Sequence, residues 1–196
     1  DNRYGCYSKK IKSVFVTHQC HLIMPDGFKW IETGVNFFNQ RQMKKFSEVW
    51  IPAVLNSFAN KLTNIDRNIP HRFIGFQSQL EKKELTKQFD VAIICSGPEP
   101  QRSMFEHLLF EQIAAASLKS ILVRGTTKNK VSSVENVEIR DLCNAGEMAD
   151  IITQSKIIVS RSGYSTIMDL MKLGSKAIFV PTPGQTEQEY LANALM

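Results

Sequence analysis

The feature that most constrains this chain is an abrupt change of periodicity. Residues 156–169, KIIVSRSGYSTIMD, open with the apolar run Ile157-Ile158-Val159, the pattern of a strand buried on both faces of a parallel sheet. The run breaks at Ser160-Arg161-Ser162-Gly163 and resumes at helical spacing, which predicts an inward face of Tyr164, Ile167, Met168, Leu170 and Met171. A helix that starts directly after a strand presents unpaired backbone N–H groups and the positive end of its dipole. Such a tip is a seat for a phosphate. Asp169 falls about one and a half turns further in, close enough to grip a pair of sugar hydroxyls. Taken alone, the stretch is equally compatible with a helix capped by Ser162 in any α/β protein.

The surrounding chain narrows the choice. From Phe89 onward, strand-like and helix-like segments alternate. A strand is predicted at 90–95, then a loop from Ser96 to Arg102. The helix that follows runs to about Leu118, with Met104, Leu108, Leu109, Ile113 and Ala114 inward. Strands at 121–124 and 137–139, a helix at 147–154, the 156–169 unit, a strand at 177–181 and a final helix complete the series. That alternation predicts a doubly wound parallel sheet with right-handed crossovers. Ahead of it, 13–18 reads as a buried strand ending in the polar cluster Thr17-His18-Gln19-Cys20-His21. Ligands gather beyond the carboxyl ends of parallel strands, so His18 is a catalytic candidate as well as a candidate structural histidine. An amphipathic helix is predicted over 30–46, burying Trp30, Ile31, Gly34, Val35, Phe37 and Phe38. Short strands follow at 47–52 and 72–76, and 77–88 is a polar linker or surface helix that marks the domain boundary.

Composition excludes some classes. No apolar run approaches the roughly 18 residues of a membrane span, and no signal-peptide pattern opens the chain. The net charge of +5 suits an anionic ligand or an anionic membrane surface. Aromatic residues do not alternate with the dispersed basic ones, so nucleic acid is not an expected partner. Cys6, Cys20, Cys95 and Cys143 lack C-x-x-C spacing and read as reduced thiols of a cytoplasmic protein, with a zinc site as the alternative. The chain starts at Asp1 and stops at Met196 within a helical pattern, so a fragment is expected.

Two motifs in fixed order carry a family resemblance: R-S-G-x-S-T-x-x-D at 161–169 and F-V-P-x-x-x-Q-x-x-Q-x-x-x-x-N-A at 179–194. Together they resemble the donor-sugar half of glycosyltransferase family 28. The likeness is concentrated from about residue 89 onward and reaches earlier positions only at scattered residues such as His18. It implies an α/β fold of two facing doubly wound, Rossmann-like parallel-sheet domains of the GT-B type, present as a fragment. Residues 1–76 would be the C-terminal part of the acceptor-side domain. Residues 77–196 would be the nucleotide-sugar donor-binding domain, incomplete at its C-terminus. The implied activity is a hexosyltransferase that moves N-acetylglucosamine or another hexose from a UDP-sugar to an unidentified lipid-linked or saccharide acceptor. A cytoplasmic location with peripheral membrane contact is implied as well. A nucleotide-sugar epimerase or hydrolase on the same fold, or a donor-binding subunit needing a partner chain, are the alternatives.

By the same resemblance, Ser96, Gly97, Gln101, Arg102, Arg161, Ser162, Gly163, Ser165 and Thr166 would bind the donor diphosphate. Asp169 would bind the ribose, with Asp where the family more often has Glu, and Asn144 and Ala145 would meet the base. Gln185, Gln188 and Glu189 would meet the donor sugar, Glu189 replacing a second glutamine. Gly125 fits the family's loop after the next strand. The loop Ser96-Gly97-Pro98-Glu99-Pro100 departs from the glycine-rich family pattern. Glu99 brings a negative charge near the diphosphate seat, and two like charges about 4 Å apart cost on the order of 4 kcal/mol at an effective dielectric near 20. Either Glu99 turns toward its own helix, or Arg102 and Arg161 neutralise it. No D-x-D triplet occurs, so no metal and no cofactor are expected, with the helix dipole and arginines in the metal's place.

Overall fold

The computed structural model describes residues 4–8, 10–128 and 134–196. The chain divides into two compact units, one made of Asp1–Gln77 with Pro183–Met196 and the other of Ser78–Thr182. The segment 183–196, placed by its sequence with residues 77–182, thus groups with the first unit. Its side chains explain this: the Tyr190 hydroxyl donates to the Phe58 carbonyl at 3.1 Å, and the Thr186 hydroxyl donates to the Ile23 carbonyl at 2.6 Å.

The first unit holds a parallel three-stranded sheet, β1 (Val14–Val16), β2 (Glu48–Ile51) and β3 (His71–Phe73), in that spatial order. Its core joins Phe15, Met43, Phe46, Val49, Ile51 and Ile69, with the Phe15 and Phe46 rings stacked at 4.9 Å. A 3-10 helix (Asp26–Ile31) leads into α1 (Glu32–Met43). The predicted aromatic stripe of this helix is not core: Trp30 is 81% exposed and Phe37 69%, and Phe38 also faces solvent. Buried instead are Asn36, Asn39 and Met43. The reason lies in what α1 packs against. Residues 19–24 are irregular backbone, whose buried N–H and C=O groups need partners. Asn36 supplies both, accepting from Leu22 N at 2.7 Å and donating to Leu22 O at 2.9 Å. Asn39 donates to the Cys20 carbonyl at 3.1 Å and Gln40 to the same carbonyl at 2.9 Å. Hydrogen-bonding demand, rather than hydrophobicity, chose the buried face.

The second unit is a five-stranded, wholly parallel sheet. Its strands are β4 (Phe89–Ile94), β5 (Ser120–Val123), β6 (Val137–Arg140), β7 (Ser155–Ser160) and β8 (Ala177–Phe179), in spatial order β6-β5-β4-β7-β8. The helices are α2 (Gln101–Ala115), α3 (Ala145–Gln154) and α4 (Tyr164–Leu173); α5 (Thr186–Ala194) belongs to the first unit. Alternating residues of β4, together with Cys95 just after it, sort the two faces. Ile93 and Cys95 pack with Phe105 and Ile113 of α2. Ala92 and Ile94 pack with Ile151 and Ile152 of α3 and with Leu170 and Leu173 of α4. The doubly wound arrangement expected from the alternation of elements is therefore present.

Local expectations failed in three places. On α2, Met104 and Leu108 are exposed, while Arg102, Phe105, Glu106 and Ile113 are buried. On α4, Leu173 is buried in place of the exposed Met171. Residues 77–88 form neither helix nor strand, and Lys87 ties the stretch down, its ammonium donating to the Thr153 and Ser155 carbonyls at 2.7 Å each. Those carbonyls end α3, where a cation complements the dipole.

Candidate functional site

In the second unit, chain order and spatial order diverge at the centre of the sheet. From β4 the chain crosses to β5 and β6 on one side, whereas from β7 it crosses to β8 on the other. Neighbouring strands β4 and β7 are in register, Ile94 opposite Ser160. The turns 95–100 and 161–163 consequently leave the same edge of the sheet side by side. Their helices α2 and α4 cover opposite faces. Such a switch point opens a crevice between two helix N-termini, where ligands of open parallel sheets bind.

Gly97 holds φ at +104°, a conformation open to glycine, and so shapes the first turn. Gly125, at the end of β5, has a stricter role. A Cβ there would lie 2.8 Å from the Cys95 carbonyl, so only glycine allows this close approach to the base of the turn. Ser96, Gly97 and Glu99 are exposed and Gln101 is half-buried. Glu99 turns onto its own helix. Its carboxylate accepts from Ser103 N at 3.1 Å and pairs with Arg102 Nη2 at 2.6 Å, which holds its carboxyl below the usual range, the Ser103 bonds first and Arg102 second. The first half of the alternative posed by the sequence is met, and of the two arginines named in the second only Arg102 pairs with Glu99.

Arg102 itself points inward. Its guanidinium is committed to Glu99, Glu106, the Ser103 hydroxyl and the Arg124 carbonyl. Glu106 also accepts from Arg124 Nε at 2.5 Å, and Arg124 pairs with Asp141 at 2.8 Å. This buried network, unmarked by any motif, ties the first turns of α2 to the end of β5. Its only sequence signal was Arg102 and Glu106 at i and i+4 on a face otherwise expected to be apolar.

Arg161 opens the turn that follows β7 at this switch point. It is 6% exposed, with its guanidinium 4.1 Å over the Phe105 ring of α2. It donates to the carbonyls of Val180, Pro181 and Gln101 at 3.2, 3.0 and 3.3 Å. Among the described residues it forms no ion pair, its Nε lacks a hydrogen-bond partner, and so does the neighbouring Ser160 hydroxyl. Burial lowers its pKa, which states the cost of holding this charge unmatched.

The tip of α4 is not capped by a side chain. Gly163, not Ser162, stands at the N-cap, with no side-chain cap hydrogen bond. Ser162 is buried, Ser165 exposed, and Thr166 and Asp169 half-buried. Asn144 caps α3 in a reciprocal box, accepting from Glu147 N at 3.0 Å while Glu147 accepts from Asn144 N at 2.8 Å; Ala145 beside it is exposed. In the first unit, His18 follows β1, and Gln185, Gln188 and Glu189 lie at the start of α5. Gln188 donates to Gln185 at 2.6 Å, and Glu189 accepts from Gly184 N at 3.0 Å. Missed by the sequence reading was Glu187, whose carboxylate meets His18 Nε2 at 3.0 Å. An acid in the first turn of a helix ordinarily needs no further explanation than the dipole.

Residues 107–196 match the family described as the glycosyltransferase family 28 C-terminal domain. The match takes in Asn144, Arg161–Asp169 and Gln185–Glu189, and begins beyond the unusual loop 96–102. Among curated relatives, a UDP-N-acetylglucosamine--N-acetylmuramyl-(pentapeptide) pyrophosphoryl-undecaprenol N-acetylglucosamine transferase of Sulfurihydrogenibium sp. is 26% identical over 96 residues, covering 49% of this chain and 27% of that protein. Its namesake in Lactococcus lactis is 29% identical over 91 residues, covering 42% of this chain and 25% of that protein. Two solved structures share the fold. The glycotransferase of kitacinnamycin superposes with a TM-score of 0.60 at 13% identity, covering 94% of this chain and 56% of its own. The forosaminyltransferase SpnP of spinosyn gives 0.55 at 12% identity, covering 95% and 54%. The fold is thus the parallel α/β architecture of GT-B glycosyltransferases. The chain spans about a quarter of the length of the curated relatives it matches and a little over half of the solved chains.

Proposed function

We propose, from the premise that residues 107–196 carry the glycosyltransferase family 28 C-terminal domain, that this chain is the nucleotide-sugar-binding part of a hexosyltransferase. The donor is a UDP-sugar, with N-acetylglucosamine as the sugar named in the curated relatives, and the acceptor is lipid-linked as theirs is. The observation that carries the reading is Arg161: a buried guanidinium without an acid, at a switch-point crevice between two helix tips, is a cation waiting for an anion.

The nucleotide diphosphate would take the backbone N–H groups of the α4 tip, the hydroxyls of Ser165 and Thr166 and the charge of Arg161, with Ser96, Gly97 and Gln101 on the other turn. Arg102 would act at one remove, by holding Glu99 off the diphosphate. Asp169 would hold the ribose, and Asn144 and Ala145 the base. In the reaction the acceptor oxygen bonds to the anomeric carbon as the bond from that carbon to the diphosphate oxygen breaks. The acceptor proton passes to a general base. Charge gathering on the leaving diphosphate is stabilised by dipoles fixed beforehand, which is why no metal is required in this scheme. Among the described residues no helix is long and apolar enough to cross a membrane. A lipid-linked acceptor would bring the protein to the cytoplasmic membrane face as a peripheral protein.

Calorimetric titration with UDP tests the assignment. Asp169→Ala should weaken binding about tenfold or more, as loss of a charged hydrogen bond implies, while Glu99→Ala should change it little. Equal affinity for Asp169→Ala and the unaltered chain would refute the ribose role. Labelled UDP-sugar without acceptor should release little free sugar; rapid release would instead support a hydrolase.

A further inference from the structure

We propose that Phe105 is the positioning residue of Arg161, its ring face holding the guanidinium for the diphosphate in the donor binding proposed above, on which this inference rests. All the residues involved belong to the second unit. The Arg161 guanidinium lies 4.1 Å over the Phe105 ring, inside the roughly 6 Å at which a cation is drawn to an aromatic face. The ring is itself fixed, since Phe105 is 2% exposed and packs with Ile93, Cys95 and Ile113. One turn earlier on α2, the Gln101 carbonyl accepts from Arg161 Nη2. Nη1 donates to the carbonyls of Val180 and Pro181, just beyond β8. Three carbonyls thus hold the edge of the guanidinium, and the ring holds its face.

The other buried arginines of this unit show what is unusual here. Arg102 and Arg124 both pair with acids, sharing Glu106 between them. Arg161 is as deeply buried as Arg102, yet among the described residues it has no carboxylate partner and its Nε has no acceptor. A carboxylate in place of the ring would cancel the charge. An aromatic face stabilises a desolvated cation without neutralising it, so a positive charge is kept at the turn between β7 and α4. Bonding to carbonyls alone needs only a neutral amide, without the desolvation that lowers the Arg161 pKa. Lysine would keep the charge but lose the planar stack. Charge and ring together are therefore the feature that stitching α2 to the end of β8 does not explain.

Fluorination of the ring tests this in the full chain, because it removes the negative potential of the face while nearly keeping the ring's shape. Replacing Phe105 by pentafluorophenylalanine should weaken UDP binding about tenfold in calorimetry and leave uridine binding unchanged. In Arg161→Gln, which should itself weaken UDP binding, the same fluorination should cost nothing further. Proton–nitrogen spectra give the geometry separately. The Arg161 Nε–H signal, identified by its loss in Arg161→Gln, should be shifted upfield by the ring and should return toward the ordinary arginine position in Phe105→Leu. A UDP affinity untouched by fluorination, an equal loss for uridine, or a fluorination effect that persists in Arg161→Gln would overturn the proposal. An Arg161→Gln variant that binds UDP as tightly as the unaltered chain would overturn the diphosphate reading instead, with the Nε–H shift still deciding whether Phe105 holds Arg161.

Discussion

The charge network beneath the α2 turn makes a prediction whose size follows from burial. Glu106 is 6% exposed and stands between Arg102 and Arg124, whose side chains are 7% and 3% exposed. Glu106→Gln keeps the volume and one acceptor oxygen but removes the charge between two guanidinium groups. Removing one partner of a buried pair costs about 3–5 kcal/mol, because the remaining charge stays desolvated and unmatched. Each arginine here retains one more exposed acid, Glu99 for Arg102 and Asp141 for Arg124, so the lower end, about 3 kcal/mol, is expected. Glu99→Gln is the matched control. It touches the same Arg102, but the Glu99 side chain is 54% exposed, and loss of such a pair costs under about 1 kcal/mol. Both tryptophans, Trp30 and Trp50, lie in the first unit, so their fluorescence does not report on this site. Amide hydrogen exchange at Ile121–Val123 of β5 does, since that strand is hydrogen-bonded on both sides. A loss of 3 kcal/mol accelerates exchange through global opening by roughly a hundredfold. If Glu106→Gln exchanged within a few-fold of Glu99→Gln, the reasoning that burial sets the cost would be refuted.

Other outcomes follow from the same structure. Phe37→Ser should change the stability of the first unit by less than about 0.5 kcal/mol, as for an exposed site, whereas Asn39→Ala should cost about 1–3 kcal/mol by removing its bonds to the Tyr4 hydroxyl and to the Gln19 and Cys20 carbonyls; urea unfolding followed by tryptophan fluorescence compares them. Burial pushes the Cys20 and Cys95 thiols up to about 12, so both should stay silent to a thiol reagent at pH 8 until the chain is unfolded. A raised native pKa gives stability that is complete below the unfolded thiol value near 8.5 and is lost as pH rises toward about 12, at about 1.4 kcal/mol per pH unit for each thiol. Cys95→Ala should flatten that alkaline slope, and an unchanged slope would count against it. Treatment with EDTA should leave UDP affinity unaltered, and a large loss would show that a metal ion holds the diphosphate.

By itself the sequence determined the periodicities and the turns. Runs such as Ile157-Ile158-Val159 can be satisfied only between two covering layers, and R-S-G followed by helical spacing can only leave a helix tip at the end of a strand. The parallel sheet and its two faces were legible for that reason. Only the tertiary structure decided which polar groups would be buried and with whom. The amide face of α1 turned inward because an irregular loop lay beneath it, Arg102 because Glu106 and the Arg124 carbonyl were there to receive it, and Glu187 found His18 across 169 positions of chain. Apolar burial depends on area and can be read from spacing along one segment. A hydrogen bond or ion pair depends on a partner that another segment supplies, so its energy exists only once the chain has closed.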